Sequence, residues 1–371
     1  MSSRRASRPG GPVPAGPSPV SGQRGRGPGE RLAAAGVGPG LTVSPALYAR
    51  VAYVALAALG LIVLTGAAVR LTGSGLGCPD WPRCYGRAYP PLTAHAVIEF
   101  SNRVITGPVG IAAVLASLLA FRRRPYRADL ARIGLLLPLG VIGQAVLGGF
   151  TVRGNLDYGF VMGHFALSML VLVAAAALAW RAAHEPGDRA PGRDRATVWS
   201  VRALLPLGGL AIFAGTAATA AGPHAGGAPG QRINRLGFDG RATMDFVIHR
   251  HGEIGLAFGL LAVGVWWWLH RAGARSRPVD RTLLRSVTAL CLLLAAQGMV
   301  GLVQYASHLP AELVWVHVGL ATAAWVAVLW SVAAAGRPAP HAAQRAGLAS
   351  HDAAGPGDPR VPTAAHVGAS A

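Results

Sequence analysis

The 371-residue sequence contains no lysine, so its formal charge of +19 rests entirely on arginine. Charge of either sign is scarce: 13% of residues, against roughly a quarter in a typical soluble domain. That shortage excludes a chain spent on one soluble globular core. The 52% of hydrophobic residues are grouped in runs of about twenty, the length that crosses a bilayer core as a helix. Zinc is not suggested either, because the sequence lacks CxxC pairs with companion ligands. Of its three cysteines, Cys291 lies in an apolar run and reads as a small core residue, while Cys78 and Cys84 share a polar segment.

Eight apolar segments are present, at about 49–70, 96–120, 129–150, 158–182, 201–221, 245–270, 282–304 and 312–335. Each satisfies its own backbone in lipid as a helix. The expected fold class is therefore all-α, a polytopic membrane protein with eight transmembrane helices. Residues 1–46 and 337–371 are rich in Gly, Pro, Ser, Ala and Arg and are expected to be disordered tails. The first of them lacks the closely following apolar segment of a cleaved signal peptide. Arginines cluster after the second span (RRRPYR), after the fourth (Arg181, Arg189, Arg193, Arg195), after the sixth (Arg271, Arg275, Arg277, Arg281) and in the N-terminal tail. All fall on one side, which the positive-inside rule makes cytoplasmic, with both termini inside. The same placement argues against a nucleic-acid partner.

Two halves, residues 47–184 and 198–336, repeat one pattern. Each has a long and then a short external loop. Gln144 precedes His164 by the spacing that separates Gln297 from His317, and QAVLGGF matches QGMVGLV. An internal duplication into two pseudo-symmetric four-helix bundles is the expectation.

Histidines stand near the outer ends of the even-numbered spans: His164 in VMGHFALSM, His249 and His251 in VIHRHGEIG, and His317 in VWVHVGLA. Intramembrane ionisable residues usually face the bundle interior. Neutral imidazole is a good iron ligand, and two histidines on facing helices of a bundle can clamp a haem. No CxxCH occurs, which excludes covalent haem attachment by that motif. His249 and His251 point about 200° apart on a helix, so only one of them can face a given haem, and the sequence leaves both open. The position in the first half that would match them holds Asn102, in IEFSNRVITG.

Glu99, Asn102 and Arg103 share a helix face. Glu99 and Arg103 read either as a helix ion pair, worth a few tenths of a kcal/mol in water, or as a proton-relaying carboxylate with its partner. The first external loop, LTGSGLGCPDWPRCYG, brackets Pro79–Pro82 with Cys78 and Cys84. On the oxidising side a disulfide is favoured, and exchange with a thiol donor is the alternative role. The second long loop, AGPHAGGAPGQRINRLGFDGRA, carries His224, Arg232, Arg235 and Arg241. With Arg70 and Arg153, these arginines read either as propionate-binding donors or as solvated charge.

Taken in order, GAAVRLTGSGLGCPDWPRC, IEFSNR, QAVLGGFTV, VMGH, AGPHAGG and LVWVH resemble the heme A synthase family over residues 49–335. Asparagine in IEFSNR and the single cysteine pair resemble its actinobacterial-type members. The resemblance implies an eight-helix oxidoreductase of the bacterial cell membrane. It would oxidise the C8 methyl of haem O to a formyl group, giving haem A for cytochrome oxidase. A haem b cofactor, with its iron, would sit in the C-terminal half between His317 and His251 or His249. Haem O would enter the N-terminal half at His164, with Glu99 catalytic and with Asn102 and Arg103 near the haem. Asn102 stands where other members have a histidine, so His164 would act alone on that side. Cys78 and Cys84 match a pair assigned to relaying redox equivalents. Implied partners are haem O synthase, oxidase assembly factors and membrane lipid, with a homo-oligomer left open. The alternatives from the residues alone are a non-catalytic dihaem electron carrier of cytochrome b type and a transporter.

Overall fold

A computed structural model describes residues 42–186, 193–238, 240–274 and 281–338. The expected tails lie almost wholly outside these residues, as do Arg189, Arg275 and Arg277. Eight helices follow one another: α1 (Pro45–Leu71), α2 (Ala94–Arg122), α3 (Ala128–Arg153), α4 (Tyr158–Ala183), α5 (Arg195–Ala221), α6 (Gly240–Ala274), α7 (Arg281–Ala306) and α8 (Ala311–Ala335). All eight are long and apolar enough to cross a membrane. The chain is thus an all-α, multi-pass membrane protein, and no strand is present among the described residues.

Local chemistry sets the ends. The Ser44 hydroxyl accepts from Leu47 N at 3.3 Å ahead of Pro45, and Asp157 and Asp194 cap α4 and α5 in the same way. Helix α8 stops at Gly336, whose φ of +70° a side chain would resist. Pro108, Pro138 and Pro206 lie inside α2, α3 and α5, as membrane helices tolerate. The helices outrun the apolar segments by a few residues. Polar ends such as Arg195–Ser200 continue the helical hydrogen bonding beyond the hydrocarbon, so α1 begins at Pro45 and not at 49.

Helix α1 packs on α2 and α4, and α3 on α2 and α4, closing one four-helix ring; α5 packs on α6 and α8, and α7 on α6 and α8, closing a second. The rings meet through α4 on α8, α1 on α8 and α4 on α5. This set of neighbours is unchanged when every helix is replaced by the one four places along. Lipid tails provide no hydrophobic drive between helices, so close packing of small residues has to hold them together. Ala113, Ala116 and Ala120 of α2 and Ala175, Ala176 and Ala179 of α4 are buried accordingly. A Cβ on Gly134 would stand 3.3 Å from Ser117 Cα. Trp325 of α8 seals the seam, donating Nε1–H to Met169 O of α4 at 3.1 Å. Large side chains such as Ile111, Leu139, Leu170, Leu256 and Leu292 point outward. That suits hydrocarbon and would be costly in water.

The connections 72–93, 154–157, 222–238 and 307–310 gather at one end. Gly75 N donates to Gly226 O at 2.9 Å, and His224 Nε2 donates to Leu309 O at 2.7 Å. The opposite end is ionic. Arg123 pairs with Glu185, while Arg127 and Arg181 reach Asp129 at 2.8 and 3.2 Å.

Candidate haem-handling site

His251 and His317 face each other across the second ring, with ring centroids 6.0 Å apart and planes at 75°. His251 donates Nδ1–H to Ala211 O of α5 at 3.0 Å. That bond fixes the tautomer and leaves Nε2 as a lone pair, the form a metal ligand needs. A first-row metal bonded to two imidazole nitrogens at about 2 Å each separates the ring centroids by roughly 6 Å. Each ring rests on a glycine: a Cβ on Gly215 would stand 3.0 Å from His251 Cε1, and one on Gly301 3.2 Å from His317 Cε1. His249, two residues from His251, turns out of the ring. It is exposed, donates to Asp245 O of its own helix at 2.7 Å and lies edge-on to Tyr305.

In the first ring His164 occupies the corresponding place on α4, and a Cβ on Gly148 would meet its Cε1 at 3.4 Å. Gln144 holds the backbone there, donating Nε2–H to His164 O at 3.1 Å and to Ser168 Oγ at 2.8 Å. His164 Nδ1 and His317 Nδ1 are both buried and unpartnered, as are the Oε1 atoms of Gln144, Gln297 and Gln304. Buried polar atoms without partners are rare. Asn102 does not meet His164 as His251 meets His317; its Oδ1 lies 2.7 Å from Thr65 Oγ1. Among the described residues no three His, Cys, Asp or Glu side chains gather into a metal site.

Glu99 and Arg103 sit under the first outer loop. The Glu99 carboxylate is buried, pairs with Arg103 and accepts Cys78 N–H at 2.6 Å. Arg103 also donates to the carbonyls of Asp80 and Arg83, both at 2.9 Å, and of Cys78 at 3.3 Å. The ion pair read from the sequence is present, and it fastens the loop to α2. Cys78 and Cys84 form a disulfide with Cα atoms 4.7 Å apart, and both are fully buried. A thiol donor reaches those sulfurs only if the loop opens. Asp80 binds the turn beyond, accepting from Tyr85 N at 2.6 Å and Gly86 N at 2.7 Å, and these bonds hold its carboxyl below the usual range.

The outer arginines hold backbone. Arg70 donates to His224 O at 2.8 Å and Thr219 O at 3.1 Å, Arg153 to Trp81 O at 3.3 Å, and Arg235 to Pro223 O at 3.4 Å. Arg232 lines a surface groove beside Tyr85 and Asn155. The Arg241 side chain lies outside the description. The glycines under the histidines were not singled out as site residues. Their signal was in the repeat, since Gly148 and Gly301 each follow the paired glutamine by four residues.

A family model described as cytochrome oxidase assembly protein, COX15-CtaA, matches residues 49–329. Among curated relatives, a heme A synthase of Lysinibacillus sphaericus is 35% identical over 117 residues, covering 31% of this chain and 38% of the relative. One from Shouchella clausii is 34% identical over 143 residues (38% of this chain, 46% of the relative). One from Shewanella oneidensis is 30% identical over 173 residues (41% and 49%). The matched stretches span less than half the length of these relatives. The family model covers well over half of the chain, with His164, His251 and His317 inside it, and the chain belongs to the COX15-CtaA family of cytochrome oxidase assembly proteins.

Proposed function

We propose that the chain is a haem A synthase, an oxidoreductase that converts the C8 methyl of haem O to a formyl group. The supporting observation is the facing pair His251 and His317, one ring held as the tautomer that offers Nε2. Two histidine ligands without a third would suit haem, which supplies its own nitrogens to the iron. Haem b, held by His251 and His317, would supply one-electron redox chemistry. In this reading His249, outside the ring, is not a ligand.

Haem O is the substrate of the first ring, with His164 as the single protein ligand to its iron. Asn102 is too weak a ligand to take a second place and is already engaged with Thr65. Two successive two-electron oxidations, each passing its electrons to an acceptor outside the chain and taking one oxygen from water with release of two protons, would carry the methyl through hydroxymethyl to a geminal diol, which loses water to give the aldehyde. Glu99 is the group that accepts or relays protons, and Arg103 keeps its carboxylate aimed beneath the outer loop. Cys78 and Cys84 serve as a disulfide that shapes this roof, with a redox role on loop opening. The two rings act as cofactor and substrate halves, and their matching neighbour pattern supports descent from one duplicated unit. Arginine bias supports both termini being cytoplasmic, and the proposed activity would place the chain in the bacterial cell membrane. Haem O synthase and oxidase assembly factors are the partners that this reaction needs before and after it.

Expression with a source of haem O, followed by chromatography and mass spectrometry of extracted haems, tests the reading. Haem A or its hydroxylated intermediate, lost in His317→Ala, is the expected result. Haem B alone, from active preparations, would replace the enzyme with a dihaem electron carrier. The same paired histidines would serve a carrier equally well.

A further inference from the structure

We propose that the loop joining α5 to α6 is a strap in which His224 and Asn234 act as positioning residues for the two histidine-bearing helices, α8 and α4. The inference rests on the reading of His317 and His164 as haem-facing. His224 donates Nε2–H to Leu309 O at 2.7 Å, in the turn just before the α8 cap Pro310. Asn234 donates Nδ2–H to Asp157 Oδ2 at 2.6 Å, and the other oxygen of Asp157 caps α4 by accepting Gly159 N at 2.9 Å. One loop therefore grips the start of both helices. His164 and His317 each lie seven residues beyond their caps, so the two grips set the rings at matching depths, about 10 Å into each helix.

The gripped turns need bracing. Each holds two consecutive non-glycine residues in left-handed conformation: Asn155 and Leu156 at φ +51° and +57°, and His308 and Leu309 at +62° and +61°. Non-glycine residues in this conformation are strained and persist only when their surroundings over-determine them. The loop supplies that constraint at both turns. His224 bonds Leu309, and Gly226 presses so close to Leu156 that a Cβ there would stand 3.2 Å from its Cδ1. The strap is itself anchored. Arg70 of α1 holds His224 O and Thr219 O, Gly75 N holds Gly226 O, and Leu236 N returns to Ala220 O at 3.2 Å. No hydrogen bond from loop 72–93 reaches the α7–α8 turn among the described residues, so one loop serves both turns.

Hydrogen exchange of the purified full-length protein, read by mass spectrometry, tests this with variants His224→Phe, His224→Gln and Asn234→Leu. A lost hydrogen bond at a helix start corresponds to about three- to tenfold faster local exchange. His224→Phe is expected to speed exchange by that factor in 311–317 and leave 158–164 unchanged, and Asn234→Leu to do the reverse. His224→Gln should stay near the native rate, because its amide can donate to the same carbonyl. Unchanged exchange at both helix starts, or a uniform rise along all eight helices, would overturn the strap. Haem content is recorded in parallel. Local changes in a protein that never carries haem would leave the strap standing and sink the functional reading, whereas normal haem with unchanged exchange would sink the strap alone.

Discussion

A single methyl group decides how the imidazole rings sit. Gly215 and Gly301 give His251 and His317 room that alanine would take, with Cβ contacts at 3.0 and 3.2 Å, whereas Gly148 leaves His164 slightly more, at 3.4 Å. Gly215→Ala and Gly301→Ala should therefore displace the facing pair, with bound haem per polypeptide falling at least severalfold by absorbance. Gly148→Ala should do so more weakly. Glu99→Gln removes the counter-charge from a largely buried Arg103, a change that costs about 3 kcal/mol when such a pair is broken. Haem A output should drop at least tenfold, and a variant that still makes haem A at the native rate would remove Glu99 from the chemistry. At this scale the sequence was partly legible. Spacing put Glu99 and Arg103 on one face because i and i+4 always meet. It left His249 and His251 open because choosing between them depends on which one α5 offers a carbonyl, and that is a long-range fact.

Among the elements, the outer loop 72–93 is held by chemistry the sequence only half disclosed. The cysteine pair was readable. The carbonyl contacts of Arg103, and the two backbone donors on Asp80, arise from a fold that apolar periodicity does not encode. A Cys78→Ser/Cys84→Ser double variant should lose about 2–3 kcal/mol of stability by the loop-closure estimate for so short a ring, seen as a lower unfolding temperature in detergent. Asp80 adds a pH dependence. Its folded pKa is depressed, so its hold is complete above the ordinary carboxyl value of 3.8 and fades as pH falls through the lower folded value. Reduction of the disulfide by a phosphine should accelerate in that acid range, and Asp80→Asn should flatten the profile. The spans themselves were legible to within a few residues, because bilayer thickness sets their length. Their ends were not, since caps such as Asp157 and Asp194 lie in polar sequence that looks like any loop.

For the whole molecule, one end carries all four connections that the charge bias assigns to the outside. In intact cells or right-side-out vesicles, a membrane-impermeant thiol reagent should label Tyr89→Cys, in the exposed outer loop, and spare Arg124→Cys at the arginine-rich end; the opposite pattern would invert the topology. Because each set of four helices closes on itself before meeting the other, the backbone link between Ala183 and Arg195 is not what holds the two together. The seam is. Two separately synthesised fragments, divided in that link, should find each other in the lipid and regain the native contacts of Trp325. An ancestor assembled from two identical short chains is then sufficient to begin such a machine.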